Sequence, residues 1–497
     1  MNDKETLLGI RRGIEKESLR ALPTGELALT PHPIALGSAL THPHITTDYS
    51  ESQLELITGV HSGVDDVLAE LTEIHQAVYR ALADERLWVS SMPCGLPADE
   101  TIPIGRYGSS NVGRAKSVYR VGLGQRYGRR MQTISGIHYN WSLPGVSTEG
   151  YFSAIRNFRR DGWLLLYLFG ASPALCESFV HDRDHGLQRL AEHTLYLPHA
   201  TSLRMGRLGY QSDAQASIRV TYNCLESYAA SLQDALSRPY PAYEAIGVQT
   251  PGGDYHQLST SLLQIENEFY STIRAKRVIR SGERPLHALR ERGVEYIEVR
   301  LMDLDPFEPV GIGADAIRVL DAFLLHCLHS PSPDDTPEEI AANARNQHAV
   351  AARGREPGLM LEHWQGGERS LQDWAAQIIA GCQVQADALD AAHGGSAYRG
   401  ALERVAERLK RPELCPSARV LAVMSQDFDD SFIGFTRRHS DATRAALLAL
   451  PFPADLQRRF EKMAAESLAE QARIEAADTM DFEEFRRFYV APERMAV

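Results

Sequence analysis

The chain has little of what marks a membrane protein, a nucleic-acid-binding protein or a disulfide-rich secreted protein. Its most apolar run, Trp163–Cys176, contains Pro173 and is shorter than the ~20 residues that a membrane-spanning helix needs, so it predicts a buried core helix. A net charge of −13 argues against binding to nucleic-acid phosphates. The six cysteines form no CxxC pair, which favours reduced thiols over a zinc site or a disulfide framework.

The first residues also lack the features of a secretory signal. Met1–Leu8 is charged and contains no apolar run of the kind that a signal peptide has. Together with reduced cysteines and the lack of a membrane-spanning stretch, this predicts a cytoplasmic protein without a nucleic-acid or membrane partner.

Familiar nucleotide-binding and zinc-binding motifs are absent as well. There is no GxxxxGK[ST], and Gly122–Gly124 continues to Gly128 with the wrong spacing for a dinucleotide fingerprint. There is no HExxH, and His42–His44 has no zinc-binding partners, so it predicts a loop. ATP, if bound, has to be held without a P-loop. The basic stretches Arg274–Arg280 and Lys116–Arg126 could supply phosphate-binding charge or could be solvated surface.

The sequence pattern changes near residue 311. Strand-like alternation is found before this point, and a chain of 497 residues is long enough for more than one structural unit. Helical patterns follow it, in Ala316–Leu328, Leu371–Ala392, Ala401–Leu409 and Leu456–Ala477, and Gly394 with Gly395 predicts a helix end. We therefore expect a sheet-rich catalytic core in residues 1–310 and a mainly helical portion in residues 311–497. One integrated unit is the alternative.

Four segments alternate so that their polar side chains share one face of a strand, because side chains two residues apart project to the same side. An outer face in contact with solvent would explain any one segment, but four of them favour a polar cavity. The aligned residues are Glu15 and Glu17; Gln132, His138, Asn140 and Ser142; Gln264, Glu266, Glu268 and Tyr270; and Tyr296, Glu298 and Arg300.

Carboxylates on strands suit a hard cation, because Mg²⁺ takes oxygen ligands in octahedral geometry. The candidate ligands are Glu15, Glu17, Asp48, Glu55 and Glu298. A solvent-facing position is the usual explanation for a single Glu in a strand. It is weaker for Glu55 and Glu298, because their neighbours are apolar and an unpaired buried charge is costly.

Other residues of these segments could bind anions. Arg300 follows Glu298 by two residues, so its guanidinium could fork onto phosphate oxygens or form a salt bridge with Glu298. His138 could contact a phosphate or could simply be a satisfied hydrogen-bonding residue. Arg204 and Tyr210 could bind a carboxylate, although by themselves they predict only a loop.

Long blocks of sequence, in a fixed order over almost the whole chain, carry a more specific signal. They include GIEKESLR (13–20), YGSSNVGRAKSVYRVGL (107–123), RYGRRMQTISGIHYNWSLP (126–144) and GVEYIEVRLMDLDPF (293–307). These blocks resemble the bacterial, type 1 glutamate–cysteine ligases, which start glutathione synthesis. The resemblance implies an α+β fold, with a glutamine-synthetase-like antiparallel sheet forming a funnel and a mainly helical C-terminal portion.

The resemblance also implies roles for the candidate residues. Arg300 would contact the transferring phosphoryl group of ATP, the co-substrate, and His138 would lie near the nucleotide phosphates. Mg²⁺, with Mn²⁺ as an alternative, would be held by four carboxylates, Glu15, Glu17, Glu55 and Glu298. The cysteine pocket would be formed by Asp48, Tyr119, Leu123, Gln132, Arg204, Tyr210 and Tyr270.

The implied reaction joins the γ-carboxylate of L-glutamate to the amine of L-cysteine through γ-glutamyl phosphate. Asp48 or the departing phosphate could accept a proton from the amine. A related ligase that uses another amine is the main alternative, followed by an inactive binding protein and a magnesium phosphohydrolase. Glutamate, cysteine and ATP are the expected small-molecule partners, glutathione is a candidate feedback inhibitor, and a monomer is expected.

Overall fold

An antiparallel sheet forms the centre of the computed structural model, which describes residues 3–181, 183–208, 213–216, 218–280 and 282–495. The strands in chain order are β1 (Arg11–Ala21), β2 (Ile45–Thr47), β3 (Gln53–Ile57), β4 (Arg86–Leu87), β5 (Ile137–Ser142), β6 (Ala174–Cys176), β7 (Gln188–Ala191), β8 (Thr194–Tyr196), β9 (Ile273–Lys276), β10 (Tyr296–Met302), β11 (Met360–Glu362) and β12 (Glu368–Ser370). Six strands of the central sheet lie in the order β2-β3-β1-β5-β10-β9, and β4 also pairs with β1.

Helices pack against this sheet and also form most of the C-terminal portion. In chain order they are α1 (Lys4–Leu8), α2 (Val64–Ala81), α3 (Asn111–Tyr127), α4 (Thr148–Asp161), α5 (Trp163–Phe169), α6 (Asp213–Ala216), α7 (Leu225–Ser237), α8 (Pro241–Ile246), α9 (Pro285–Arg292), α10 (Ala314–His329), α11 (Pro337–Arg353), α12 (Leu371–His393), α13 (Ala397–Lys410), α14 (Pro416–Asp427), α15 (Phe432–Ala449), α16 (Ala454–Ala477) and α17 (Phe482–Val490). Among the helices of the described residues, none combines the length and the apolar character that crossing a membrane requires.

The two faces of the main sheet differ in polarity, as the alternation in the sequence predicts. Ile14 of β1, Tyr139 of β5 and Val299 of β10 are fully buried in one hydrophobic cluster. Helix α2 packs against β1 and β3, while α4 and α5 pack against β10. The opposite face carries the charged and polar side chains and lines a cavity, so the alternative of a solvated outer face does not apply.

The helices predicted after residue 311 are confirmed. The four predicted segments lie within α10, α12, α13 and α16, and α12 ends at Gly394, whose φ of 84° suits glycine. Helices α12 and α13 pack against α10, which in turn packs against α4. Buried apolar residues of both portions belong to the same hydrophobic cluster. The division at residue 310 stays a prediction.

Two expectations about secondary structure are wrong. The segment Gln264–Tyr270 is not a strand, because Glu266–Glu268 forms a 3-10 helix. Its two carboxylates therefore point to different partners: Glu266 pairs with Arg284 and Glu268 pairs with Arg126, both at short distances in buried positions. Gln132 does not belong to β5 either, since it lies in the 3-10 helix that precedes the strand.

The apolar run and the cysteines also differ from expectation. Trp163–Cys176 is buried, but its helix ends at Phe169, and Ala174–Cys176 forms strand β6. This strand brings Cys176 into the same apolar cluster as Cys94, and the two form a disulfide. The expectation that all cysteines are reduced is therefore wrong, because a separation of 82 residues hides this pair in the sequence. The free cysteines are Cys224, Cys327, Cys382 and Cys415.

Candidate functional site

Strand register brings the candidate carboxylates together. Glu17 of β1 lies directly opposite Glu55 of β3, and Glu15 lies opposite His138 of β5. Glu298 of β10 lies opposite Asn140 of β5. Because directly opposed residues in antiparallel strands project from the same face, these side chains meet above the sheet.

Strand β5 supplies uncharged partners for Glu15 at the centre of this face. Asn140 Nδ2 donates to Glu15 Oε1 over 2.9 Å, and His138 Nδ1 lies 3.1 Å from Glu15 Oε2. Burial and the Arg300 guanidinium lower the pKa of His138, so the imidazole is neutral at pH 7. Burial opposes ionisation of Glu15, but the hydrogen bond with His138 and the charge of Lys276 together outweigh the burial and leave the pKa of Glu15 lowered.

Glu298 lies between two cations. Lys276 Nζ donates to its Oε1 over 3.0 Å, and Arg300 Nη1 donates to its Oε2 over 2.9 Å. Glu298 is fully buried, yet these two charges outweigh the burial and hold its pKa well below the ordinary value. The salt bridge considered as an alternative for Arg300 is thus present, and Arg300 also lines the cavity.

The carboxylates on β1 and β3 lack such compensation. Burial, followed by repulsion from Asp48, raises the pKa of Glu17 to about 8. Burial and repulsion from Glu15, Asp48 and Glu17 raise the pKa of Glu55 well above the ordinary value. Carboxylates crowded in this way are stabilised by a bound cation, since a positive charge favours their ionised form.

A three-residue cluster on the same face has the spacing of a metal site. Ligand atoms of Glu15, His138 and Glu298 all lie within 4.8 Å of one another. Carboxylate oxygens suit Mg²⁺, and the imidazole nitrogen suits Mn²⁺ and other transition metals better. The donor set therefore fits a divalent cation.

A cavity of about 770 Å³ lies above the polar face. Tyr210 lies outside the described residues. The cavity is lined by the other predicted site residues, Glu15, Glu17, Asp48, Glu55, Tyr119, Leu123, Gln132, His138, Arg204, Tyr270, Glu298 and Arg300.

Helix α3 forms one wall of this cavity. It begins where the Ser110 side chain accepts from the Gly113 N–H over 3.2 Å, and it ends at Gly128, whose φ is 83°. Tyr119 and Leu123 lie four residues apart on this helix, so both project to the same side. They line the same cavity as the carboxylates of the sheet.

Loops and 3-10 turns complete the wall. Gln132 Nε2 donates to the Tyr270 hydroxyl over 2.9 Å, which ties the turn before β5 to the loop before β9. Arg204 lies in the 3-10 helix Leu203–Met205 and is buried, with its Nη2 donating to the Arg300 carbonyl over 2.9 Å. A guanidinium beside tyrosines is suited to a small carboxylate ligand.

Three residues that contact the candidate site are not singled out by the sequence pattern. The sequence places Lys276 among several residues of a basic stretch. In the structure, Lys276 ends β9 and bonds Glu298, whereas the next residue, Arg277, pairs with Glu295. Gly136 and Asp303, which contact Glu17 and Arg204, were not among the candidates. A glycine directly before a polar strand was the available signal for Gly136.

Comparisons with known proteins agree with this geometry. The profile of the family described as Glutamate-cysteine ligase matches residues 1–350. Glutamate–cysteine ligase of Alcanivorax borkumensis is 48% identical, over 97% of this chain and 96% of its own. The Pseudomonas aeruginosa enzyme is 50% identical, over 96% and 94%. The crystal structure of Francisella tularensis glutamate–cysteine ligase in complex with AMP superposes with a TM-score of 0.92, at 35% identity, over 97% of each chain.

These matches place the chain in the class of ligases that join a carboxylate to an amine. The chain belongs to the glutamate–cysteine ligase family. The predictions of this family, of a ligase activity and of an α+β fold built on an antiparallel sheet are confirmed.

Proposed function

We propose that the protein joins the γ-carboxylate of L-glutamate to the amine of L-cysteine at the expense of ATP, which is the first step of glutathione synthesis. Family membership supports this reaction, and the AMP complex of the Francisella tularensis relative supports a nucleotide as co-substrate. The observation that carries the proposal is the convergence of four glutamates with Lys276 and Arg300 on one sheet face of a single cavity.

A carboxylate cannot be attacked by an amine directly, because its leaving group would be oxide. Phosphoryl transfer from ATP to a γ-carboxylate oxygen gives γ-glutamyl phosphate and ADP. The cysteine nitrogen then forms a bond to the γ-carbon, and the bond from this carbon to the phosphorylated oxygen breaks to release phosphate. The ammonium protons leave to solvent through Asp48 or through the departing phosphate.

The meeting of two anions requires positive charge. Mg²⁺ or Mn²⁺, held by Glu15, Glu17, Glu55 and Glu298, would supply charge neutralisation for the phosphates of ATP. Arg300 lies beside this set and donates to Glu298, so its guanidinium is fixed where a phosphoryl group would carry developing charge. His138 is neutral, and it orients Glu15 without adding to the negative charge.

The acceptor amino acid binds at the other wall. Arg204 would pair with the carboxylate of cysteine, and Tyr119, Leu123, Gln132 and Tyr270, which line the same cavity, would shape the surrounding pocket. Tyr210 belongs to this set by resemblance. The larger part of this wall is aromatic or apolar, which suits a small side chain such as that of cysteine.

Location, assembly and regulation stay predictions. Cys94 and Cys176 form a disulfide, and disulfides are rare in the cytoplasm. The cysteines therefore no longer support a cytoplasmic location. The monomeric state and the feedback inhibition by glutathione rest on the resemblance.

The test measures ADP release with glutamate alone, with cysteine alone and with both, and identifies the product by mass. We expect rapid ADP release and γ-glutamylcysteine formation with both amino acids and magnesium. Release without any amino acid would indicate a phosphohydrolase, and faster turnover with another amine would indicate a related ligase. The Glu298→Gln variant, purified in parallel, controls for contaminating ATPases.

A further inference from the structure

Gly136 joins the two walls of the site. It lies directly before β5, and its N–H donates to Glu17 Oε2 over 2.7 Å. Its carbonyl accepts from the Glu17 N–H over 3.0 Å. A β-carbon at this position would lie 2.0 Å from Arg204 Nη2 and 2.4 Å from Arg204 Cζ. The Arg204 guanidinium therefore occupies the space that a side chain at residue 136 would fill.

The Arg204 guanidinium also contacts two other residues. Its Nη2 donates to the Arg300 carbonyl over 2.9 Å, and its Nη1 lies 3.8 Å from Asp303 Oδ1. Asp303 is buried and fixed in turn, because it accepts from the Ser202 hydroxyl and from the Ala171 N–H, each over 2.9 Å. A guanidinium pushed away from residue 136 can move only by giving up these contacts.

We infer that Gly136 is a positioning residue that sets the distance between the phosphoryl-transfer face and the acceptor carboxylate. It holds Glu17 through its peptide group and seats Arg204 against its bare α-carbon. The inference rests on the proposed role of Arg204 in binding the carboxylate of cysteine. Because an ordinary contact of a β-carbon lies beyond ~3.4 Å, an alanine here displaces the guanidinium by about 1 Å or more. A displacement of that size can cost about 10²-fold in rate even where the chemistry is untouched.

The Gly136→Ala variant tests this inference by steady-state kinetics with each substrate varied. We expect the KM for cysteine to rise about 10- to 100-fold, because the charge-assisted hydrogen bond between Arg204 and the carboxylate of cysteine is lost. The KM values for ATP and glutamate should change by less than about 3-fold, because alanine retains the peptide group that bonds Glu17. Gly13→Ala in β1 is the matched control, since a β-carbon there would meet its nearest atom at 3.5 Å. This control should keep all three KM values.

A double-mutant cycle with Arg204→Ala separates a positioning role from a merely structural one. If Gly136 acts through Arg204, adding Gly136→Ala to Arg204→Ala should change the cysteine KM by less than about 2-fold. Equal effects of Gly136→Ala in both backgrounds, or a rise in all three KM values, would overturn the inference. If Arg204→Ala itself leaves the cysteine KM unchanged, the proposed role of Arg204 fails instead.

Folding gives a second readout. The clash predicts that Gly136→Ala unfolds at a lower temperature than the wild type. The double variant should regain much of the lost unfolding temperature, because alanine at residue 204 leaves room for the new methyl group. This comparison remains informative if the single variant is recovered in too low a yield for kinetics. A double variant less stable than both single variants would contradict the clash.

Discussion

Replacing Arg300 with alanine separates a catalytic role from a structural one. Arg300 Nη1 donates to Glu298 over 2.9 Å, and the Arg300 side chain is 21% exposed to the cavity. If the guanidinium stabilises charge that develops on the transferring phosphoryl group, its loss should lower kcat by ~10²–10³-fold. The free energy of unfolding should fall by only about 1 kcal/mol, because Lys276 still bonds Glu298 over 3.0 Å.

Arg160 provides a matched structural control. Its Nε donates to Glu339 over 2.6 Å and its Nη1 donates to Asn157 over 3.0 Å, with almost no exposure of the arginine. Arg160→Ala leaves a buried carboxylate without its cation, so the free energy of unfolding should fall by ~3–5 kcal/mol. Its kcat, measured on folded protein, should match the wild type.

The assay follows ADP release with saturating glutamate, cysteine and magnesium ATP, and urea denaturation gives the free energy of unfolding. Arg300→Lys adds a finer comparison, because lysine keeps the charge but lacks the planar fork, so it should recover only part of kcat. An Arg300→Ala variant with wild-type kcat and a loss of stability like that of Arg160→Ala would refute the catalytic role.

Three further predictions concern the metal site, the chemical path and acid stability. Glu298→Gln should lower ligation to below ~1% of wild type while the protein stays folded; near-normal turnover at high magnesium would contradict this. Buthionine sulfoximine should inactivate slowly and tightly only with magnesium ATP, with one ADP formed per site; equal inhibition without ATP would argue against an acyl phosphate. His42 Nδ1 accepts from the backbone N–H groups of His44 and Ile45, and burial lowers the pKa of His42 to about 4. Its stabilising effect is therefore lost as pH falls from 6.5 toward 4, so in urea denaturation the wild type should lose about 2 kcal/mol more than His42→Asn does between pH 7 and pH 5.

Much of the catalytic sheet was predictable because strand alternation is a local property. The segments around Glu15, His138 and Glu298 each placed their polar residues on one side, and the structure keeps that arrangement in β1, β5 and β10. The alternation within each strand does not predict the register between paired strands. That Glu17 opposes Glu55 follows from which strands pair and where, and a shift of one residue would turn the carboxylate to the helix-covered face.

Contacts between distant segments account for the remaining differences. Glu266 and Glu268 have the spacing of a strand face, but they pair with Arg284 and Arg126, which lie in different elements, and the segment forms a 3-10 turn. Each partner lies in another element, so no local pattern reveals it. The Cys94–Cys176 disulfide is of the same kind, since it depends on how β6 packs against an earlier loop.

The charge on the polar face changes from one edge of the sheet to the other, and this change supports the proposal that one face binds both a cation and a phosphate. The edge toward β3 carries Glu55 and Glu17, whose pKa values are raised by burial and by repulsion from neighbouring carboxylates. The edge toward β9 carries Lys276 and Arg300, which hold Glu298 ionised. Between the two edges, β5 contributes the neutral side chains of His138 and Asn140. These side chains do not neutralise the negative charge of one edge or the positive charge of the other. In the proposed reaction, a divalent cation would be attracted to the acidic edge and a phosphate to the basic edge, so that the two would meet above β5.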